Sequence, residues 1–254
     1  MNAAVVRSFE RPPRYEHFQA PVPHGEFEAQ VDVLAVGLHP RVRSGAAGAH
    51  YTSTGQLPMI PGIDGVARSA DGRLLYFAAQ DEILGSMAEK TVIDTRRTVA
   101  LPDGADPLQI ASTMNPAMSS WVALRRRVPL KAGQSVLVLG ATGNAGRMAV
   151  RVARHLGAGR IVGAGRDRER LRLLRTIGAD DVVQLTDDSE QTAEALANAA
   201  ADVDLVLDYL WAAPATLAMM ALLERRTDRS HELNWIQIGA IAGPSIELPS
   251  VALR

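Results

Sequence analysis

The stretch Val136-Leu137-Val138-Leu139-Gly140-Ala141-Thr142-Gly143-Asn144-Ala145-Gly146 decides how this chain is read. Its first four residues form an unbroken run of Val and Leu, the pattern of a strand buried on both faces. Glycines follow at once, and then Ala145, Met148, Ala149, Val152 and Leu156 recur at the spacing of one helical face, with Gly157 at the place of a helix stop. A strand, a glycine turn and a helix in that order let the main chain bend sharply and approach a pyrophosphate. The charge of that group meets free N–H groups and the positive end of the helix. A tight turn with no ligand is the plainer explanation, but the strand and helix on either side favour a dinucleotide site over Gly140, Thr142, Gly143, Asn144, Ala145 and Gly146.

Toward the carboxyl end the same unit repeats. Ile161 to Ala164 reads as a second strand, and Asp167 caps a helix that runs to Ile177 with Gly178 behind it. Val182 to Leu185, a helix from about Ser189 to Ala200, Leu205 to Leu207, a helix around Ala215 to Glu224, and Trp235 to Ile238 complete five strands. Regular alternation of this kind predicts an α/β fold with a doubly wound parallel sheet. A dinucleotide fold of strand order 3-2-1-4-5-6 has a sixth strand, for which few residues remain after Ile241. The expectation is a partial chain, or a sheet edge covered by a partner.

Toward the amino end the texture changes near residue 130. Short apolar runs there are punctuated by Pro12-Pro13, Pro61-Gly62, Asp71-Gly72 and Asp103-Gly104, which is β-rich punctuation. Glu28 to Val33 alternates at period two, Gly72 precedes the run Arg73 to Phe77, and Pro107 to Leu124 reads as a helical bridge. Two domains are expected: residues 1–128, rich in β structure, and residues 129–254, built on the parallel sheet.

Of 254 residues 47% are apolar and 22% charged, which places the chain among folded globular proteins. A net charge of −1 gives no general attraction for nucleic acid. The absence of Cys excludes disulfides, thiolate zinc sites, iron–sulfur clusters and a cysteine nucleophile. No secretory signal and no membrane span is read, so a cytoplasmic chain is expected. The six His are scattered; His39 and His50 lack the spacing of metal ligands, and no metal is expected.

The end of the second strand distinguishes the dinucleotides. An NAD site places an acidic residue there to bond the ribose hydroxyls. Here Gly165-Arg166-Asp167 puts a guanidinium at that point, suited to clamp a 2′-phosphate, so NADPH is favoured. The competing reading makes Asp167 the ribose ligand and leaves Arg166 as solvated charge.

Taken together, the β-rich first half, the Gly140 to Gly146 loop and the Gly165-Arg166-Asp167 turn resemble the medium-chain dehydrogenase/reductase superfamily, in its zinc-free quinone oxidoreductase-like branch. Gly37-Leu38-His39-Pro40, Pro61-Gly62-Ile63-Asp64-Gly65 and Asn115 to Trp121 also match segments of that family. The resemblance implies a GroES-like substrate domain before a Rossmann domain that lacks its last strand and closing segment. It implies a metal-independent, NADPH-dependent reductase of quinones or α,β-unsaturated carbonyl compounds, and a homodimer.

In such a reaction hydride reaches the β-carbon while a donor steadies the developing enolate oxygen. Tyr51, in a polar loop, is one candidate donor; a loop aromatic packing on its neighbours is the alternative. His39, where relatives carry Asn, is the second catalytic candidate, as a hydrogen-bond partner of the ribose or the substrate, with a structural role equally open. Ser119 is expected near the nicotinamide, although hydroxyls on helices often bond only their own backbone. Ile238, Gly239 and Ala240, at the carboxyl end of the fifth strand, are expected on the nicotinamide ribose. The rival from another class is a catalytically weak NADPH-binding sensor or scaffold.

Overall fold

The computed structural model of the chain describes residues 1–79 and 83–253. Two compact units result, Met1–Asn115 and Pro116–Arg254. Their division falls inside the bridging helix, ahead of the residue 128 boundary expected from texture.

The first unit is antiparallel. Strands β1 (Asn2–Val5) and β2 (Arg14–His17) pair with each other. A five-stranded sheet is built from β3 (Glu28–Val36), β4 (Asp64–Arg68), β5 (Leu74–Ala78), β6 (Lys90–Asp94) and β7 (Thr98–Ala100), with helix α1 (Pro40–Ala46) between β3 and β4. Its spatial order is β6-β3-β4-β5-β7. The Asp71-Gly72 turn between β4 and β5 requires its glycine, whose φ is +87°. Val31, Ala67, Leu75, Phe77 and Ile93 fill the core on one side of this sheet.

Helix α2 (Pro107–Val122) spans the division and ends in a wide turn, Ala123–Arg127. Arg125, Arg126 and Arg127 are exposed at that carboxyl end, where cations suit the helix dipole. The remaining elements are β8 (Ser135–Leu139), α3 (Asn144–His155), β9 (Arg160–Gly165), α4 (Arg168–Thr176), β10 (Asp181–Gln184), α5 (Ser189–Ala200), β11 (Leu205–Asp208), α6 (Ala212–Arg225) and β12 (Asn234–Gln237). All five strands are parallel, in the order β10-β9-β8-β11-β12. The chain moves outward from β8 to β10 and then returns to the far side of β8, which puts the switch point between the carboxyl ends of β8 and β11.

The apolar run of β8 explains its central place. Val136 and Val138 pack into a core with Ala149, Val150 and Ala153 of α3, whereas Leu137 and Leu139 pack with Leu196 of α5 and Leu222 of α6. Alternate side chains thus enter opposite layers, and both must be apolar. Among the described residues no helix is long and apolar enough to cross a membrane.

Two outcomes follow from this packing. Leu207 is fully buried in the central sheet, so Leu207→Ala is expected to cost about 2–5 kcal/mol in urea unfolding. In the first unit, hydrogen bonds from the Arg96 guanidinium and N–H hold the Asp94 carboxyl at about 2, well below the usual carboxylate range. A depressed folded value means that this stabilisation is complete above the ordinary range and is lost as pH falls through about 2. Asp94→Asn should lower Tm at neutral pH, with the gap to wild type closing in melts between pH ~4 and ~2.

Candidate functional site

At the carboxyl end of β8 the chain turns through Gly140, whose φ of +85° is in the left-handed region. The N–H groups of Gly140 and Ala141 both donate to the carbonyl of Ala164 on β9, at 3.0 and 2.8 Å. This ties the loop to the neighbouring strand. The N–H of Gly143 then donates to the carbonyl of Gly140 at 3.1 Å. A Cβ on Gly146 would run into that same carbonyl and lie 2.6 Å from the Ala141 Cα, so only glycine lets α3 start this close to the strand. A Cβ on Gly165 would meet the Thr142 side chain at 2.5 Å, which is why the second strand ends in glycine as well.

Helix α3 opens from Gly143 with no side chain capping it and no acidic residue in its first turn. Its first helical bond that closes on the cap residue runs from the Arg147 N–H to the Gly143 carbonyl, at 2.9 Å. The amides of Ala145 and Gly146 precede it, on the side where a helix leaves donors for an anion. Helices α4 and α5 differ: Asp167 and Asp188 cap them, each accepting an N–H three residues on, and Glu169 and Glu190 occupy their first turns.

Beside the loop, three arginines at the end of β9 divide their tasks. Arg168 donates to Gln184 Oε1 at 2.6 Å, and Arg170 lies 3.4 Å from Asp167. Arg166 is exposed, and the bond made at this residue, from Gln184 Nε2 at 3.2 Å, goes to its main-chain carbonyl. Asp167 is committed to its cap.

Across the switch point, sequence reasoning missed Tyr209. It is the first residue beyond β11, with its Cβ facing Gly140 and its carbonyl facing Gly239. Its hydroxyl lies 3.0 Å from Ser119 Oγ, and Ser119 itself donates to the Pro116 carbonyl. Burial pushes the Tyr209 phenol up, against the pull of Ser119 and Ser120. The signal available in advance was position alone, since the residue after the strand that flanks a switch point faces the crevice. Next to it, buried Asp208 accepts from the N–H groups of Leu210 and Trp211 at 2.8 and 3.0 Å and from the Trp235 indole at 3.1 Å. Those bonds hold Trp211 and Ala212 at φ +59° and +53°, a conformation that side chains rarely adopt. Ile238 and Gly239 both donate to the Asp208 carbonyl, so the segment that includes Ala240 is fixed to the same strand end.

In the first unit His39 sits at the amino end of α1, its Nε2 3.3 Å from Asp64 Oδ1. Asp64 is buried and accepts a second bond, 2.7 Å from the Tyr76 hydroxyl. Burial and that carboxylate push the Tyr76 phenol up. Tyr51 does not join this cluster. Its side chain is 93% exposed and its ring rests on His50, 4.4 Å between centroids.

The model of the zinc-binding dehydrogenase family matches residues 145–227. A probable NADPH-dependent quinone reductase of Emericella nidulans is 33% identical over 95% of this chain and 76% of its own length. The chain belongs to the medium-chain dehydrogenase/reductase family. Within that family a quinone oxidoreductase of Pongo abelii is 30% identical over 64% of this chain, which spans about half (51%) of that relative. The quinone oxidoreductase of Thermus thermophilus, solved also with NADPH, superposes with a TM-score of 0.77 at 25% identity, covering 93% of this chain and 79% of its own. The medium-chain fold accounts for both units, the first GroES-like and the second Rossmann-like. The family's zinc does not fit the residues present: the chain has no Cys, and among the described residues no three His, Asp or Glu side chains gather into a metal site.

Gly146→Ala tests the loop. The added methyl has only backbone to displace, so dinucleotide affinity should fall at least tenfold by calorimetry while the far-UV spectrum keeps its helix and strand content.

Proposed function

We propose that the chain is an NADPH-dependent reductase that transfers hydride to quinones or α,β-unsaturated carbonyl compounds without a metal. The observation that carries this reading is the Arg166 guanidinium, unengaged among the described residues, beside an Asp167 already used as a helix cap. The names of relatives support it: the Emericella protein is a probable NADPH-dependent quinone reductase, and an Arabidopsis thaliana relative, 26% identical, is an NADPH-dependent alkenal/one oxidoreductase.

The residues present fit such a cofactor. The space against Gly146 is one a Cβ would fill, and α3 opens with neither a cap nor an acid. In this reading the loop from Gly140 through Thr142, Gly143, Asn144 and Ala145 to Gly146 holds the pyrophosphate. Arg166, from its place after Gly165, holds the 2′-phosphate, and Ser119, Ile238, Gly239 and Ala240 border the nicotinamide. NADPH when bound supplies the hydride, which is the difficult part of the chemistry. The protein must then steady negative charge on the acceptor oxygen, and a buried, oriented donor does this better than a solvated one. Of the two candidates His39 is the one held in place, its Nε2 against Asp64, whereas Tyr51 is exposed. A small-molecule acceptor, a cytoplasmic setting and a homodimer belong to the same reading.

Arg166→Ala removes charge-assisted hydrogen bonds worth ~1.5–3 kcal/mol, so NADPH should bind about ten- to hundred-fold more weakly in calorimetry while NADH changes little. Equal losses for the two nucleotides would overturn the assignment. Loss of NADPH absorbance with a panel of quinones and enones, unchanged by a chelator, supports the metal-independent reductase. Binding without turnover on any acceptor would favour the sensor or scaffold instead.

A further inference from the structure

We propose that Arg147 is a second cationic ligand of the dinucleotide, acting on the pyrophosphate shared by NADPH and NADH; this rests on the dinucleotide reading above. Arg147 is the residue after the last glycine of the loop, in the first turn of α3. A cation is misplaced there. The amino end of a helix carries partial positive charge, and Arg, Lys and His belong at the other end, where α3 has Arg154 and His155. Arg151, one turn further along the same helix, adds a like charge rather than relief.

The side chain also lacks compensation. Its Nε is buried with no hydrogen-bond partner among the described residues. Only Arg226 Nε shares this condition among them, and the rest of that guanidinium is occupied, donating to the carbonyls of Ala201, Val203, His231 and Glu232. Arg147 has no such set of carbonyls among the described residues. Leaving a guanidinium N–H buried and unpaired is costly, and so is a cation against the positive end of a helix. One ligand relieves both costs, namely an anion at the amino end of α3.

Direction agrees with this. Long side chains on a helix lean back over the preceding turn, toward its amino end, which is the direction in which the amides of Ala145 and Gly146 lie. An uncapped first turn, a glycine that admits close approach and a cation in the same turn suit a diphosphate, which accepts from main-chain N–H groups and from a guanidinium at the same time. Arg166 and Arg147 thereby divide the cofactor: Arg166 reads the phosphate that only NADPH has, and Arg147 reads the part common to both nucleotides.

The test is equilibrium binding by calorimetry, for NADPH and NADH, with the full chain as wild type, Arg147→Met, Arg147→Lys and Arg166→Ala. Arg147→Met should weaken both nucleotides by a similar factor, about tenfold, with Arg147→Lys between it and wild type. The Tm of nucleotide-free Arg147→Met should be unchanged or higher, because a misplaced cation has been removed. An Arg147→Met affinity within twofold of wild type for both nucleotides overturns the proposal, as does a loss confined to NADPH. If wild type binds neither nucleotide, the dinucleotide reading itself fails; if it binds and only the Arg147 variants are silent, that reading survives and this one does not.

Discussion

The carbonyl of Gly140 lies where the Cβ of residue 146 would otherwise be. That contact sets how near α3 starts to the end of β8, and the geometry around it depends on the distance. Gly140 must turn left-handed to aim its carbonyl there, and Ala141 must bond across to Ala164. Gly165 must be small because Thr142 fills the space beside it. A methyl group at residue 146 would displace backbone on both sides, and backbone has nowhere cheap to go in a core packed to crystal-like density.

Electrostatics separate this helix from its neighbours. Helices α4 and α5 begin in the ordinary way, with an Asp side chain accepting a first-turn N–H and a Glu close by. Helix α3 has Gly143 at its cap and Asn144, Ala145, Gly146 and Arg147 in its first turn. The first arrangement satisfies a helix end with a side chain of the protein, and the second supplies no such side-chain cap. The same contrast orders the three arginines after β9: the side chains of Arg168 and Arg170 are tied to Gln184 and Asp167, while Arg166 is bonded through its main-chain carbonyl.

The antiparallel unit adds a different kind of constraint. Asp64 is a buried carboxylate with bonds from His39 and Tyr76, and the Ser86 hydroxyl donates to its carbonyl. Gly37 comes close enough that a Cβ there would lie 2.8 Å from the Asp64 carboxylate. The Gly37 to Pro40 and Pro61 to Gly65 segments, remote in sequence, are therefore one structural feature. A buried carboxylate must keep its donors, which restrains the His39 ring far more than its place in a loop before α1 would suggest.

How much of this was legible in advance depended on distance along the chain. The five parallel strands, the glycine loop, the Asp167 cap and the Arg166 position are written in short-range patterns: runs of Val and Leu, helical spacing, and glycine where no other residue fits. The strand bounds shifted by a residue or so, and the division of the chain moved into α2, at Pro116, because the helix continues through that proline instead of ending there. Tyr209 beside Ser119, Asp208 beside Trp235, and the His39–Asp64–Tyr76 cluster have no local pattern to betray them. Their partners come from elements far apart in sequence. By itself the sequence determined which segments become strands, helices and the glycine turn, since those follow from periodicity and the steric allowance of glycine. The tertiary structure alone decided which polar groups are paired and which are left open, because hydrogen bonding in a dry interior is settled by neighbours that only the completed packing brings together.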